Sequence, residues 1–155
     1  TLPIPKKEFF NTGSWAHLND WESQLKPFYT KAYEMLGANT NPKLCASDEL
    51  IKDSAKDIGK ETHFEATKVA VYFGEAGKTV PDPYFKGKGP DRTGCVFCGA
   101  CMTGCRYNAK NTLDKNYLYL AQQLGAKILA EKEVFNVSVL GKDDGSNGYR
   151  IDFKS

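Results

Sequence analysis

The sequence holds 155 residues, enough for one domain with its own core, of which 41% are hydrophobic and 26% charged, with a formal net charge of +2. The Lys and Arg residues are scattered rather than striped, which excludes a nucleic-acid partner of the basic-patch kind, and no apolar run approaches the roughly 20 residues of a membrane span. There is no signal-like apolar segment at the start, no repeat and no low-complexity tract, and a chain that begins at Thr1 rather than Met is expected to be a piece of a longer parent.

The first expected element is a helix over Asn19–Leu36. Asn19 reads as its N-cap, with Glu22 three residues on. Leu25, Phe28, Tyr29, Ala32 and Leu36 form an apolar stripe, and Gly37 is a natural stop. Pro27 either kinks this helix or starts a new one in its first turn. Ser47 then caps a second helix, in which Leu50, Ile51, Ala55 and Ile58 face the core and Gly59 ends it. The run Thr67–Phe73, rich in β-branched and aromatic residues, reads as a strand.

A long loop from Gly74 to about Asn111 follows, punctuated by glycine and proline. Loops of that length are functional or disordered, and a bound cluster at its cysteines would explain how it stays ordered. Leu113, Tyr117, Leu120, Ala121 and Leu124 mark a third helix, capped near Thr112 and closed by Gly125. The C-terminal part is β: a short strand over Ala126–Ala130, a strand over Val134–Leu140, a turn over Gly141–Gly148 and a strand over Tyr149–Phe153. The last two pair as a hairpin. The fold class is α+β, with a helical N-terminal half, a cysteine-containing loop, a helix and an antiparallel hairpin.

Four of the five cysteines lie in the loop, and only Cys45 stands apart. A disulfide scaffold spreads its cysteines to close loops, so crowding argues for a bound metal or cluster and, without a secretion signal, for the cytoplasm. Cys95, Cys98, Cys101 and Cys105 form C-x2-C-x2-C-x3-C, the spacing of bacterial ferredoxin loops, with Arg106 where a proline usually follows. Two-residue gaps let a tight turn aim successive thiolates at one cubane. Gly99 and Gly104 permit left-handed turns, so backbone N–H groups can point at sulfur. Arg106 and Lys110 offset the negative charge.

The ligand set stays open. In two-cluster ferredoxins the fourth cysteine of such a run serves the other cluster, so Cys95, Cys98 and Cys101 could be joined by Cys105, by Cys45 or by neither, the last giving a three-iron cluster or an open iron. A structural zinc ion, disulfides and unligated thiols are the competing readings. On the cysteines alone, a self-contained ferredoxin-like carrier or zinc module is the alternative function.

The segment after the cysteines, Arg106-Tyr-Asn-Ala-Lys-Asn-Thr-Leu-Asp-Lys-Asn-Tyr-Leu-Tyr-Leu-Ala121, with Gly125-Ala126 and the hairpin, resembles the glucose–methanol–choline oxidoreductases, most closely their cholesterol oxidase branch. Trp15–Gly37 and Val80-Pro-Asp-Pro-Tyr-Phe85 are similar to that branch too, so the likeness runs along nearly the whole chain. It implies an FAD enzyme that oxidises a small-molecule alcohol by hydride transfer to the flavin. Residues 1–111 would belong to the substrate-binding region, and 112–155 would return to an incomplete FAD-binding domain. Val134 would touch the cofactor's adenine through its backbone, against its plain reading as a buried strand valine. Some dehydrogenases of the wider family carry an iron–sulfur cluster in this region, which implies an electron acceptor as a further partner.

Other family features are missing. No G-x-G-x-x-G opens a βαβ unit, and His17 and His63 do not match the family's catalytic positions, so surface or packing roles are expected for both. No catalytic residue is assigned. The missing N- and C-terminal parts of the parent are its expected partners, and the chain alone is expected to be inactive.

Overall fold

In the computed structural model, residues 3–155 are described. They form helices and small antiparallel two-stranded sheets, an α+β arrangement. The chain divides into two compact units, one ending at Ala121 and the other running Gln122–Ser155.

The first unit opens with helix α1 (Lys7–Asn11), a 3-10 turn at Ala16–Leu18 and helix α2 (Trp21–Leu36). Asp20, not Asn19, caps α2: its carboxylate accepts from the Ser23 amide at 3.2 Å. Asn19 instead exchanges side-chain hydrogen bonds with Gln24. Pro27 lies within an unbroken α2, where it removes one amide from the ladder without ending the helix. Left-handed Gly37 (φ 56°) stops the helix as expected, and its amide returns to Glu34 and Tyr33. Phe28, assigned to the inward stripe, is exposed.

Helix α3 (Ala46–Asp57) begins one residue before its expected cap. Cys45 occupies the N-cap, and the Asp48 carboxylate accepts its amide at 2.8 Å, while Ser47 falls in the first turn. The residues expected to face the core do not: Leu50, Ile51 and Ile58 are 66%, 61% and 72% exposed. Nothing in the described chain covers that face.

Four short strands make two ladders. β1 (Asn39–Thr40) pairs with β2 (Lys68–Val69), and β3 (Thr79–Val80) with β4 (Arg92–Thr93). The strand expected over Thr67–Phe73 is thus mostly irregular. Its amides and carbonyls pair singly with scattered partners: Tyr72 N–H to Ala109 O at 2.9 Å, Asn111 N–H to Ala70 O at 2.8 Å and Cys95 N–H to Tyr72 O at 3.0 Å. These bonds stitch both ends of the cysteine loop to one extended segment.

The long loop contains the β3–β4 ladder and is ordered by its own polar groups. The Asp82 carboxylate accepts from the amides of Tyr84, Phe85, Gly87 and Gly89. Arg92 is fully buried and donates to the Asn111 side chain at 2.7 Å, to Lys115 O at 2.8 Å and to Asp91 O at 3.1 Å. Phe10, Met35, Val71 and Ala109 supply the buried apolar contacts. After the loop comes a 3-10 turn at Leu113–Lys115 and helix α4 (Tyr117–Gln123), shorter than the single helix expected from Thr112.

The second unit holds a hairpin of β5 (Glu133–Val139) and β6 (Tyr149–Lys154). Val134 pairs with Phe153 and Val139 with Tyr149, and a bulge falls between Val134 and Asn136. No strand forms over Ala126–Ala130. Apolar residues project from both faces of the hairpin: Val134, Phe135, Val137, Tyr149, Ile151 and Phe153 are all exposed.

Candidate functional site: a cavity bordered by five cysteines

The cysteine loop leaves β4 through Gly94, whose position admits no side chain. A Cβ there would stand 2.0 Å from the Glu75 carbonyl oxygen. The Gly94 amide donates to Lys78 O and its carbonyl accepts from Gly77, so this approach fixes where Cys95 emerges.

From Cys95 the chain curls through left-handed residues: Phe97 (φ 56°), Gly99 (77°), Gly104 (117°) and Asn108 (59°). Phe97 and Asn108 carry side chains in this region, a cost of about 1 kcal/mol each that the surrounding contacts must offset. Phe97 stacks on Phe73 with centroids 5.7 Å apart, and Lys43 Nζ lies 5.4 Å from the Phe97 ring. Asn108 donates to Asp91 O at 2.8 Å.

The curl turns backbone amides toward sulfur. Phe97 N–H points at Cys95 Sγ at 3.3 Å and Ala109 N–H at Cys105 Sγ at 3.4 Å. Partial burial pushes the Cys105 thiol pKa up, but the amides of Lys110, Ala109 and Tyr107 and the charge of Lys115 outweigh it, and the pKa lies below the usual thiol value. Lys110 Nζ donates to Cys101 O at 2.7 Å and holds the loop's centre.

All five cysteines border one mostly apolar cavity of about 580 Å³, walled also by Val71, Phe73, Phe97, Tyr107 and Ala109. The loop supplies four of the thiols, and Cys45 comes from the start of α3. All five are free rather than disulfide-bonded. Among the described residues, no three His, Cys, Asp or Glu side chains are grouped to hold a metal ion. The expected ligands therefore share a cavity without being gathered on one point.

Val134 lies in the second unit, on β5, and is 52% exposed rather than the buried strand valine of its plain reading. His17 and His63 are exposed residues of two 3-10 turns. Residue types and spacing do not reveal Asp82, Arg92 and Asn111, which order the loop. The D-P-Y-F sequence after Val80 is the one local hint, since an Asp ahead of a turn commonly accepts amides two and three residues on.

The chain is similar to the cholesterol oxidase of Acinetobacter baumannii, 46% identical over 156 residues, an alignment covering 97% of this chain and 28% of that protein. The cholesterol oxidases of two Mycobacterium tuberculosis strains are each 48% identical over 134 residues, 83% of this chain and 23% of theirs. The chain thus spans about a quarter of the length of the curated relatives it matches. No protein-family model matches it, and no solved structure matches it significantly.

Proposed function

We propose, from a chain that belongs to the cholesterol oxidase family, that it is a stretch of an FAD-dependent oxidoreductase acting on the CH–OH group of a sterol-like alcohol. The observation that carries this reading is a likeness near one-half identity along almost the whole chain. FAD, when bound in such an enzyme, supplies the acceptor for the hydride that leaves the alcohol carbon. The residues here contain no glycine-rich phosphate loop, so they do not by themselves fit that cofactor. Its phosphates are held elsewhere in the parent, and no chemical step falls to side chains of this stretch.

What the stretch contributes is framework. Residues 1–111 belong to the substrate-binding region, and 112–155 to the incomplete FAD-binding domain. The hairpin returns to the FAD-binding domain, where the Val134 backbone meets the adenine. Its two-stranded ladder leaves one edge of β5 outside the pairing, which suits a backbone contact of that kind. The exposed apolar faces of α3 and of the hairpin support a role as parts of a larger body, since a lone hairpin is marginally stable in water. The rest of the parent chain covers both.

The finer part of the reading is that Cys95, Cys98, Cys101 and Cys105 would hold an iron–sulfur cluster, whose chemistry when bound would be one-electron transfer toward an acceptor. Its support is the ferredoxin-type spacing together with the shared cavity. The test of the family activity is the cofactor. Acid release from the purified full-length protein should yield FAD in stoichiometric amount, and a protein without flavin overturns the reading.

A further inference from the structure

We infer that Asn147, in the turn of the β5–β6 hairpin, is a site of spontaneous covalent modification, its side chain being converted to aspartate and isoaspartate through attack by the Gly148 backbone nitrogen. No enzyme, cofactor or oxidant takes part.

The chemistry is a ring closure. The Gly148 nitrogen gives its proton to solvent and attacks Asn147 Cγ. A new C–N bond closes a five-membered succinimide as the Cγ–Nδ2 bond breaks, and Nδ2 takes up a proton and leaves as ammonia. Water then opens either ring carbonyl, which gives aspartate or isoaspartate. The sum is one water in and one ammonia out, with no change of oxidation state. A nucleophile already held beside its target is what makes such a step accessible in water.

Two observations single out Asn147 among the nine asparagines of the chain. The first is its neighbour. Asn147 is the only one followed by glycine, so no side chain shields the attacking nitrogen. Even a Cβ built at Gly148 would meet nothing within 4 Å, so the approach is open. Asn41 lies at the other extreme, since Pro42 has no N–H to lose.

The second is the freedom of its side chain. Asn11, Asn19, Asn39, Asn108 and Asn136 each donate from the side-chain amide to a fixed acceptor. Asn111 and Asn116 are buried. Asn147 is exposed, and its side chain makes no hydrogen bond among the described residues.

Asp144-Gly145, in the same turn, supplies the contrast. Asp144 Oδ1 accepts from the Ser146 amide at 2.9 Å, which holds its carboxyl below the usual carboxylate range. An ionised carboxylate is a poor electrophile, so this second glycine-flanked residue stays intact.

One bond opposes the reaction at Asn147. Gly148 N–H donates to Gly145 O at 2.9 Å and must leave it before the nitrogen can attack. Exposure of the turn survives assembly with the rest of the parent. Residues Gly141–Gly148 carry no apolar side chain, whereas the apolar residues that need covering lie on the strands. The product adds a negative charge beside Asp143 and Asp144. Isoaspartate also inserts an extra backbone carbon next to the Val139–Tyr149 pair.

The test uses the full-length protein, kept for weeks in warm neutral buffer and followed by peptide mapping with mass spectrometry. Asn147 should convert at least about tenfold faster than any other asparagine, equivalent to a barrier lower by about 1.4 kcal/mol. The product should contain isoaspartate as well as aspartate. Asn147→Gln, whose longer side chain closes the corresponding ring far more slowly, should remove the acidic species that grows in on ion exchange. Should that variant fail to fold, the wild-type peptide map decides alone. An Asn147 amide that outlasts those of the other asparagines, a product free of isoaspartate, or the same acidic species from Asn147→Gln would each overturn the inference.

Discussion

Arg92 Nη2 donates to Asn111 Oδ1 over 2.7 Å, and both side chains are buried. The same nitrogen reaches Lys115 O at 2.8 Å, so one guanidinium ties β4 to the segment that follows the cysteines. Arg92→Met is expected to destabilise the protein by about 3 kcal/mol, because it leaves the Asn111 and Lys115 acceptors buried without a donor. In a double-mutant cycle, Arg92→Met with Asn111→Leu should cost less than the sum of the two single changes. Denaturant midpoints measure both, and simple additivity would show that the pair is not coupled.

Two glycines of one loop should respond differently to the same change. Gly94→Ala pushes a methyl into the Glu75 carbonyl, 2.0 Å away on a backbone that is itself hydrogen-bonded, and should cost about 3 kcal/mol or more. Gly99→Ala meets nothing within 4 Å and should cost only the left-handed backbone term at φ +77°, about 1 kcal/mol. Thermal unfolding of the two variants gives the comparison, and equal losses would contradict it.

The Asp82 carboxylate sets an acid limb. Partial burial raises its pKa, but the amides of Tyr84, Gly89, Phe85 and Gly87 together outweigh this, and the pKa is lowered in the folded protein. A carboxylate depressed on folding contributes stability above its unfolded pKa of about 4 and loses it as pH falls through the folded value. Asp82→Asn should therefore cost about 1–2 kcal/mol at neutral pH, and its gap to the wild type should close on acidification. Urea midpoints across pH read this, and a gap independent of pH would count against the role.

The outward face of α3 tests the larger-body reading. Leu50→Ala and Ile51→Ala, at positions 66% and 61% exposed here, should each cost about 2 kcal/mol in the full-length protein if the rest of the parent covers that face. Losses under about 0.5 kcal/mol would mean the face is solvated in the parent as well.

How much of this was legible in the residues varied with the range of the interaction. The end of α2 at Gly37 and the curled Cys95–Cys105 run are set by neighbours a few positions away, and both were readable. The α2 and α3 caps slipped by a residue or more: Asp20 takes the Ser23 amide while Asn19 turns to Gln24, and at α3 the Asp48 carboxylate binds the Cys45 amide, which puts the cap before Ser47. Thr67–Phe73 has strand-forming residue types, but its partners lie at Cys95 and Ala109–Asn111 rather than in a regular neighbour strand. Arg92 was invisible, since an arginine in a loop reads as a solvated charge and its acceptors lie 19 and 23 residues on. The α3 stripe was correctly seen as apolar, yet its periodicity could not say whether this stretch or another covers it.

The central claim, that this stretch serves an FAD-dependent oxidation of a sterol-like alcohol, is tested most directly by anaerobic mixing. Purified full-length protein is combined with a 3-hydroxysterol while its visible flavin absorbance is followed. Bleaching of that absorbance, with one ketosteroid formed per flavin reduced, is the predicted result. A flavin that stays oxidised with the sterol and with simpler secondary alcohols, or a protein that carries no flavin, would contradict it.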